Sequence, residues 1–218
     1  MEGKIDTVRD DLHDDRTFSE MAEGAKNYNR SFEDPFYPFA INEEAIEQLD
    51  GYLDYLKEDD RHFRRELVAH EGSAGVPADD KFRVCSIHPI AEDTIVYSIG
   101  RSLFNAINDQ NYQFDINTYE FQILKYDVGG NFQWHCDYGI APKKTVWRKL
   151  SMSVQLSAAE DYEGGELILV DYFNRHCQID NQKGDCVIFD SRCPHKASHI
   201  TKGTRYVLVG WASGPKMR

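Results

Sequence analysis

Between residues 119 and 213 the chain divides into eight short runs of alternating apolar residues, and this constrains its fold more than any other feature. The runs are YEFQILKYD (119–127), NFQWHCD (131–137), RKLSMSVQLS (148–157), GELILVD (165–171), HCQID (176–180), DCVIFD (185–190), HKASHI (195–200) and TRYVLVGWAS (204–213). The turn-forming clusters VGG, EDYEGG, DYFNR, NQKG, SRCP and TKG fall between them. Successive side chains of a strand point to opposite faces, so each run has one face for a core or cavity and one for the outside. Eight short strands at this spacing make an antiparallel sandwich or barrel.

The pattern favours a double-stranded β-helix, the jelly roll of cupin-like proteins, over a plain sandwich. Helical periodicity appears only upstream. Asn42 stands before Glu43 and Glu44 as a helix cap with acidic residues in the first turn, and Ile46, Leu49, Leu53 and Leu56 follow at helical spacing, predicting a helix over 43–58. Ile95, Ile99, Leu103 and Ala106 predict a second over 92–108. FEDPFYPFAI (32–41) reads as an extended segment that clips the N-terminus onto the body, AHEGSAGVPADDK (69–81) as a loop and FRVCSI (82–87) as a strand. The expected fold class is mainly β with flanking helices (α+β), the helices covering the outer face of one sheet. Residues 1–118 supply an arm, helices and supporting strands, residues 119–218 the β-helix core, and together they form one domain.

Composition narrows the partners. A formal net charge of −12 disfavours a nucleic-acid partner, because such binding draws its affinity from Lys and Arg neutralising phosphates. No apolar run reaches membrane-spanning length, and MEGKIDTVRDDLHDD lacks a signal-peptide core, so a cytoplasmic protein with no membrane partner is expected. The five cysteines, Cys85, Cys136, Cys177, Cys186 and Cys193, contain no C-x-x-C pair and are odd in number. They read as reduced thiols, Cys136 among them as a core thiol, rather than a disulfide framework or zinc knuckle.

The chemistry lies in a few polar residues on these runs. His135 and Asp137 are two positions apart, so in an extended strand they share a face, and an imidazole and a carboxylate aimed at one point make half of a first-row metal site. A distant histidine would complete it, with His195 and His199 as the contenders in the seventh run, where they share strand parity. Arg205 lies on the same face as Val207, Val209 and Trp211. A cation on the apolar side of a strand is costly unless paired, so Arg205 calls for an anion, such as the far carboxylate of a dicarboxylic acid gripped by a bidentate fork. Arg148 and Lys149 face either that ligand or solvent. His13, His62, His70, His88 and His176 read as surface or structural residues.

With these residues in view, the chain resembles the iron(II) and 2-oxoglutarate dependent oxygenases, and within them the prolyl 4-hydroxylase-like group, over residues 119–215. LKYDVGGNFQWHCD (124–137) resembles the family's tyrosine, glycine pair, aromatic and H-x-D run. YEGGELILV (162–170) resembles its GGE strand start, and KGDCVIF (183–189) its glycine-aspartate turn. PHKASHITKGTRYVLVGW (194–211) carries a histidine ten residues before the arginine, with a glycine two before that arginine and a tryptophan beyond.

The resemblance implies that His135, Asp137 and His195 are the catalytic metal triad for iron(II), His195 being preferred because relatives often carry proline at the place of His199. It implies that Arg205 salt-bridges the distal carboxylate of the cosubstrate 2-oxoglutarate and that Tyr126 hydrogen-bonds the same group. Dioxygen is the oxidant and ascorbate a supporting reductant. The implied reaction is hydroxylation of an unactivated carbon with release of succinate and CO2. Relatives that halogenate replace the carboxylate held here by Asp137 with a small residue. Peptidyl proline is the substrate class the resemblance favours, with free amino acids or small metabolites as alternatives; recognition is assigned to the loops 71–80 and 138–147 together with the N-terminal arm, Lys143 and Lys144 either attracting a carboxylate-bearing substrate or serving only to solubilise their loop. A non-catalytic cupin-like binding module is the rival reading, though cupins present a denser histidine set with a glutamate. A nucleic-acid demethylase of the superfamily would carry a second arginine where this chain has Trp211.

Overall fold

The computed structural model describes residues 35–68, 82–138 and 146–216. Phe32, His13, His70, the loop 71–80 and most of the loop 138–147 with Lys143 and Lys144 lie outside the described residues. The strands are β1 (Phe36–Ala40), β2 (Arg64–Val68), β3 (Arg83–Pro89), β4 (Thr118–Tyr126), β5 (Asn131–His135), β6 (Trp147–Gln155), β7 (Tyr162–Gly164), β8 (Leu167–Val170), β9 (His176–Gln178), β10 (Asp185–Asp190), β11 (His195–Ala197), β12 (Ile200–Gly203) and β13 (Arg205–Gly214). The helices are α1 (Glu43–Lys57) and α2 (Ile95–Ile107).

All pairings are antiparallel, and one curled sheet runs β1-β10-β6-β13-β4-β3-β5-β11-β8-β9, with β2 beside β3. This is the double-stranded β-helix. The half β10-β6-β13-β4 faces the helices on one side and the half β5-β11-β8 across the interior on the other. Alternation assigns the sides: Leu150, Met152 and Val154 of β6, with Leu208 and Ala212 of β13, pack with Leu49, Leu53, Leu56, Ile99 and Leu103 of the helices. Each of these fully buried leucines contributes about 1.5–3 kcal/mol relative to exposure. The intervening residues, Val207 and Val209 among them, turn inward.

Helix α1 begins where expected, with Asn42 Oδ1 accepting Ala45 N–H at 2.9 Å. Helix α2 begins later than the periodicity predicts, because Thr94 adopts an extended backbone, caps Tyr97 N–H and donates its hydroxyl to Ala91 O. Its buried stripe is Val96, Ile99, Leu103, Phe104 and Ile107, with Ile95 and Ala106 at the margin. The extended arm is β1, paired with β10 through Phe36↔Phe189 to Ala40↔Asp185.

The seventh run is not one strand. β11 ends at Ala197, and the chain then turns into β12, which pairs with β7 in a separate two-stranded ribbon. Two glycines permit the close approach: Gly164 (φ +82°) would put a Cβ 2.2 Å from His199 O, and Gly203 (φ +72°) would put one 2.0 Å from Asp161 O. A left-handed backbone costs an L side chain about 1–2 kcal/mol before any clash. Gly164→Ala is therefore expected to lower the melting temperature by at least roughly 5 °C, read by circular dichroism. An unchanged melting point would mean that the ribbon shifts without cost.

Candidate metal centre

β5 delivers His135 as its last residue, and Asp137 lies just beyond the strand end, where its N–H donates to Ser191 O at 2.9 Å. The shared face survives that short extension. Cross-strand register then puts His195, the first residue of β11, directly opposite His135. His135 Nε2 is 3.7 Å from Asp137 Oδ1 and His195 Nε2 is 3.5 Å from Asp137 Oδ2. Ligand atoms of all three residues lie within 4.8 Å of one another, and among the described residues no other group of histidine, cysteine and acidic side chains converges in this way. Asp137 is 5% exposed and lines the cleft.

Each histidine has its tautomer set by the main chain. His135 Nδ1 is 2.7 Å from Gln133 O and His195 Nδ1 is 3.0 Å from Cys193 O. A carbonyl only accepts, so Nδ1 carries the hydrogen and Nε2 offers its lone pair toward Asp137. Phe132 stacks on the His135 ring at 3.5 Å and Phe189 meets the His195 ring edge-on at 4.8 Å. Burial and the neighbouring His195 push the His135 pKa well down, keeping it neutral and able to ligate. Burial acts to raise the Asp137 pKa, but the pull of the adjacent His195 and that of the Ser151 hydroxyl outweigh it and hold the carboxyl below its usual range. Ser151 Oγ donates to Asp137 Oδ2 at 2.7 Å and contacts Ser191 Oγ at 2.9 Å.

Two imidazoles and one carboxylate suit iron(II) with positions left open. The same cleft is also lined by Tyr126 and Arg205. These two are register partners across β4 and β13, and the guanidinium carbon lies 5.8 Å from the Tyr126 ring centroid. Burial raises the Tyr126 pKa, which keeps its hydroxyl a donor. Arg205 is 5% exposed, and among the described residues no carboxylate pairs with it. A buried cation without a counter-charge fits a ligand that brings one.

His199 falls at the break between β11 and β12, so it loses parity with His195 and is exposed. His199→Ala should leave metal-induced thermal stabilisation intact while His195→Ala removes it; loss in the first variant would exchange their roles. Cys136 is only half-buried and points away from the triad, its Sγ 3.3 Å from Arg192 O. Arg148 stacks over Trp211 at 3.8 Å and pairs with Glu120 at 3.3 Å, and Lys149 is buried with its ammonium 5.7 Å from the Phe114 ring. His88 bonds Tyr52 and the His62 carbonyl, His62 packs on Tyr55, and His176 packs on Trp134. Sequence reading missed Ser151 and Gln155, whose signal was present: with Ser153 they are the polar positions alternating with Leu150, Met152 and Val154 in the third run. It also missed Arg83, which enters the cleft wall from β3 and lies over the Phe132 ring at 4.8 Å.

Fold and cleft together define a jelly-roll protein with a candidate mononuclear iron site. Residues 121–213 match the family model of the 2OG-Fe(II) oxygenase superfamily, whose members use iron(II), 2-oxoglutarate and dioxygen, and over this region the chain is similar to that superfamily. It is 34% identical over 91 residues to a PKHD-type hydroxylase of Aliarcobacter butzleri, the match covering 40% of each chain, so it spans less than half the length of that curated relative. In fold it is similar to a Pseudomonas putida prolyl-4-hydroxylase (TM-score 0.63, 17% identity, 91% of this chain and 100% of that one). It is likewise similar to a Trichoplax adhaerens prolyl hydroxylase in complex with a hypoxia inducible factor oxygen degradation domain peptide fragment (TM-score 0.60, 19% identity, 93% and 91%). Among the described residues no helix is long and apolar enough to cross a membrane.

Proposed function

We propose that the chain is an iron(II) and 2-oxoglutarate dependent dioxygenase that hydroxylates an unactivated carbon, in the first instance of a prolyl-type residue in a peptide. One observation carries the reading: a buried two-histidine, one-carboxylate cluster shares its cleft with a buried arginine that has no carboxylate partner among the described residues. In this reading residues 1–118 and the β-helix act as one domain.

His135 and His195 through Nε2 and Asp137 through its carboxylate would hold iron(II), and Ser151 holds the carboxylate's orientation. Bound there, iron with 2-oxoglutarate and dioxygen would supply the oxidising chemistry that hydroxylation of a C–H bond needs. Arg205 and the Tyr126 hydroxyl bind the cosubstrate's distal carboxylate, while Leu124, Val207 and Phe189 on the cleft walls exclude water from the reacting atoms. The peptide preference rests on the resemblance to prolyl hydroxylases, the Trichoplax relative being the one seen with a peptide.

The test is succinate formation by anaerobically iron-loaded protein, started with labelled dioxygen, against proline-containing peptides, free amino acids and oligonucleotides. A peptide product heavier by one labelled oxygen, with stoichiometric succinate, supports the reading. A demethylated base, a halogenated product or an absence of substrate-dependent succinate overturns it.

A further inference from the structure

The guanidinium of Arg205 is held by a neutral group. Its Nε donates to Gln155 Oε1 at 3.0 Å, and Gln155 and Arg205 are 4% and 5% exposed. The far end of the glutamine fixes this arrangement. Gln155 Nε2 donates to the Ser157 carbonyl at 3.1 Å and lies 3.1 Å from the Tyr162 hydroxyl. A carbonyl only accepts and an arginine Nε–H only donates, so a single amide orientation satisfies both neighbours. Ser157 Oγ also accepts Tyr206 N–H at 2.7 Å, tying the residue after Arg205 into the same network. On the other side Gly165 (φ +69°) closes on the arginine stem, where a Cβ would come within 3.2 Å of Arg205 Cδ.

A buried arginine is ordinarily neutralised by a carboxylate, and a glutamate differs from glutamine at this position by one heavy atom, an oxygen in place of the amide nitrogen. We propose that Gln155 is the positioning residue that makes the cleft require a distal carboxylate on its 2-oxo acid. By occupying Nε with a neutral acceptor, it turns the terminal amino groups of Arg205 toward the cleft and leaves the whole positive charge to be met by the ligand. The inference rests on the 2-oxoglutarate reading of the site. A glutamate in its place would answer the charge from within the protein, and a second carboxylate arriving with the ligand would then meet a neutral pair.

The experiment measures calorimetric binding to the manganese(II)-loaded full chain of 2-oxoglutarate and of 2-oxopentanoate, the five-carbon 2-oxo acid that lacks the distal carboxylate. Wild type is expected to prefer 2-oxoglutarate strongly. Gln155→Glu should weaken 2-oxoglutarate by on the order of a hundredfold while leaving 2-oxopentanoate within about threefold, because only the charged end is affected. Gln155→Met should weaken 2-oxoglutarate by roughly tenfold through loss of the orienting bond. Manganese affinity should be the same in all three. Wild-type selectivity in Gln155→Glu overturns the inference and leaves the site reading standing, whereas a manganese-loaded wild type that binds neither acid overturns both. Should Gln155→Glu not fold, Tyr162→Phe decides: it should raise the KM for 2-oxoglutarate several-fold at unchanged kcat, and an unaltered KM counts against the network.

Discussion

Asp137→Ala is expected to give a folded protein that gains no thermal stability from iron(II) or manganese(II) and turns over no 2-oxoglutarate. The carboxylate lies within 3.5 and 3.7 Å of the two Nε2 atoms and is the only acidic member of the cluster. A metal at a hundred times its dissociation constant stabilises the native state by about 2.7 kcal/mol, which for a chain of this size raises the melting temperature by roughly 5–10 °C. That increment should vanish in the variant. The metal-free protein should still fold, at the cost of the Ser151 hydrogen bond to the carboxylate, because Ser151 keeps its contact with Ser191. A full metal-induced shift in Asp137→Ala would take the carboxylate out of the metal site.

Arg205→Leu should show the converse: the metal-induced shift persists, and the apparent requirement for 2-oxoglutarate rises by on the order of a hundredfold or more, since losing one partner of a desolvated charge pair costs roughly 3–5 kcal/mol. Tyr126→Phe should act in the same direction more weakly, one hydrogen bond to a charged group being worth about 1.5–3 kcal/mol. Titration of 2-oxoglutarate into metal-loaded protein measures both. Ordinary affinity in Arg205→Leu would make the arginine structural and place the anion pocket elsewhere.

Why the cleft was readable in advance follows from periodicity. A two-residue repeat puts His135 and Asp137 on one side and sets Arg205 in line with Val207, Val209 and Trp211, and all of these line the cleft. Periodicity has no means of reporting a corner. The chain between Ala197 and Ile200 leaves one sheet for another, and no residue type there announces it, because the cause is the approach of Gly164 to His199 O from 35 positions upstream. β2 was equally silent: RRELV carries two arginines and a glutamate and becomes a strand by pairing with β3. The support given to Asp137 by Ser151 and to Arg205 by Gln155 depends on β6 lying between β10 and β13, a matter of topology rather than local pattern.

The atoms that orient the two imidazoles are carbonyl oxygens of Gln133 and Cys193, in each case two residues before the histidine. Both anchors are main-chain atoms, so the bearing of the ligands does not depend on which side chains occupy 133 and 193, and any constraint on Cys193 comes from its own packing in the core. What a descendant must inherit is the course of the backbone through those two tripeptides. Insertions or deletions there should therefore be purged far more strictly than substitutions.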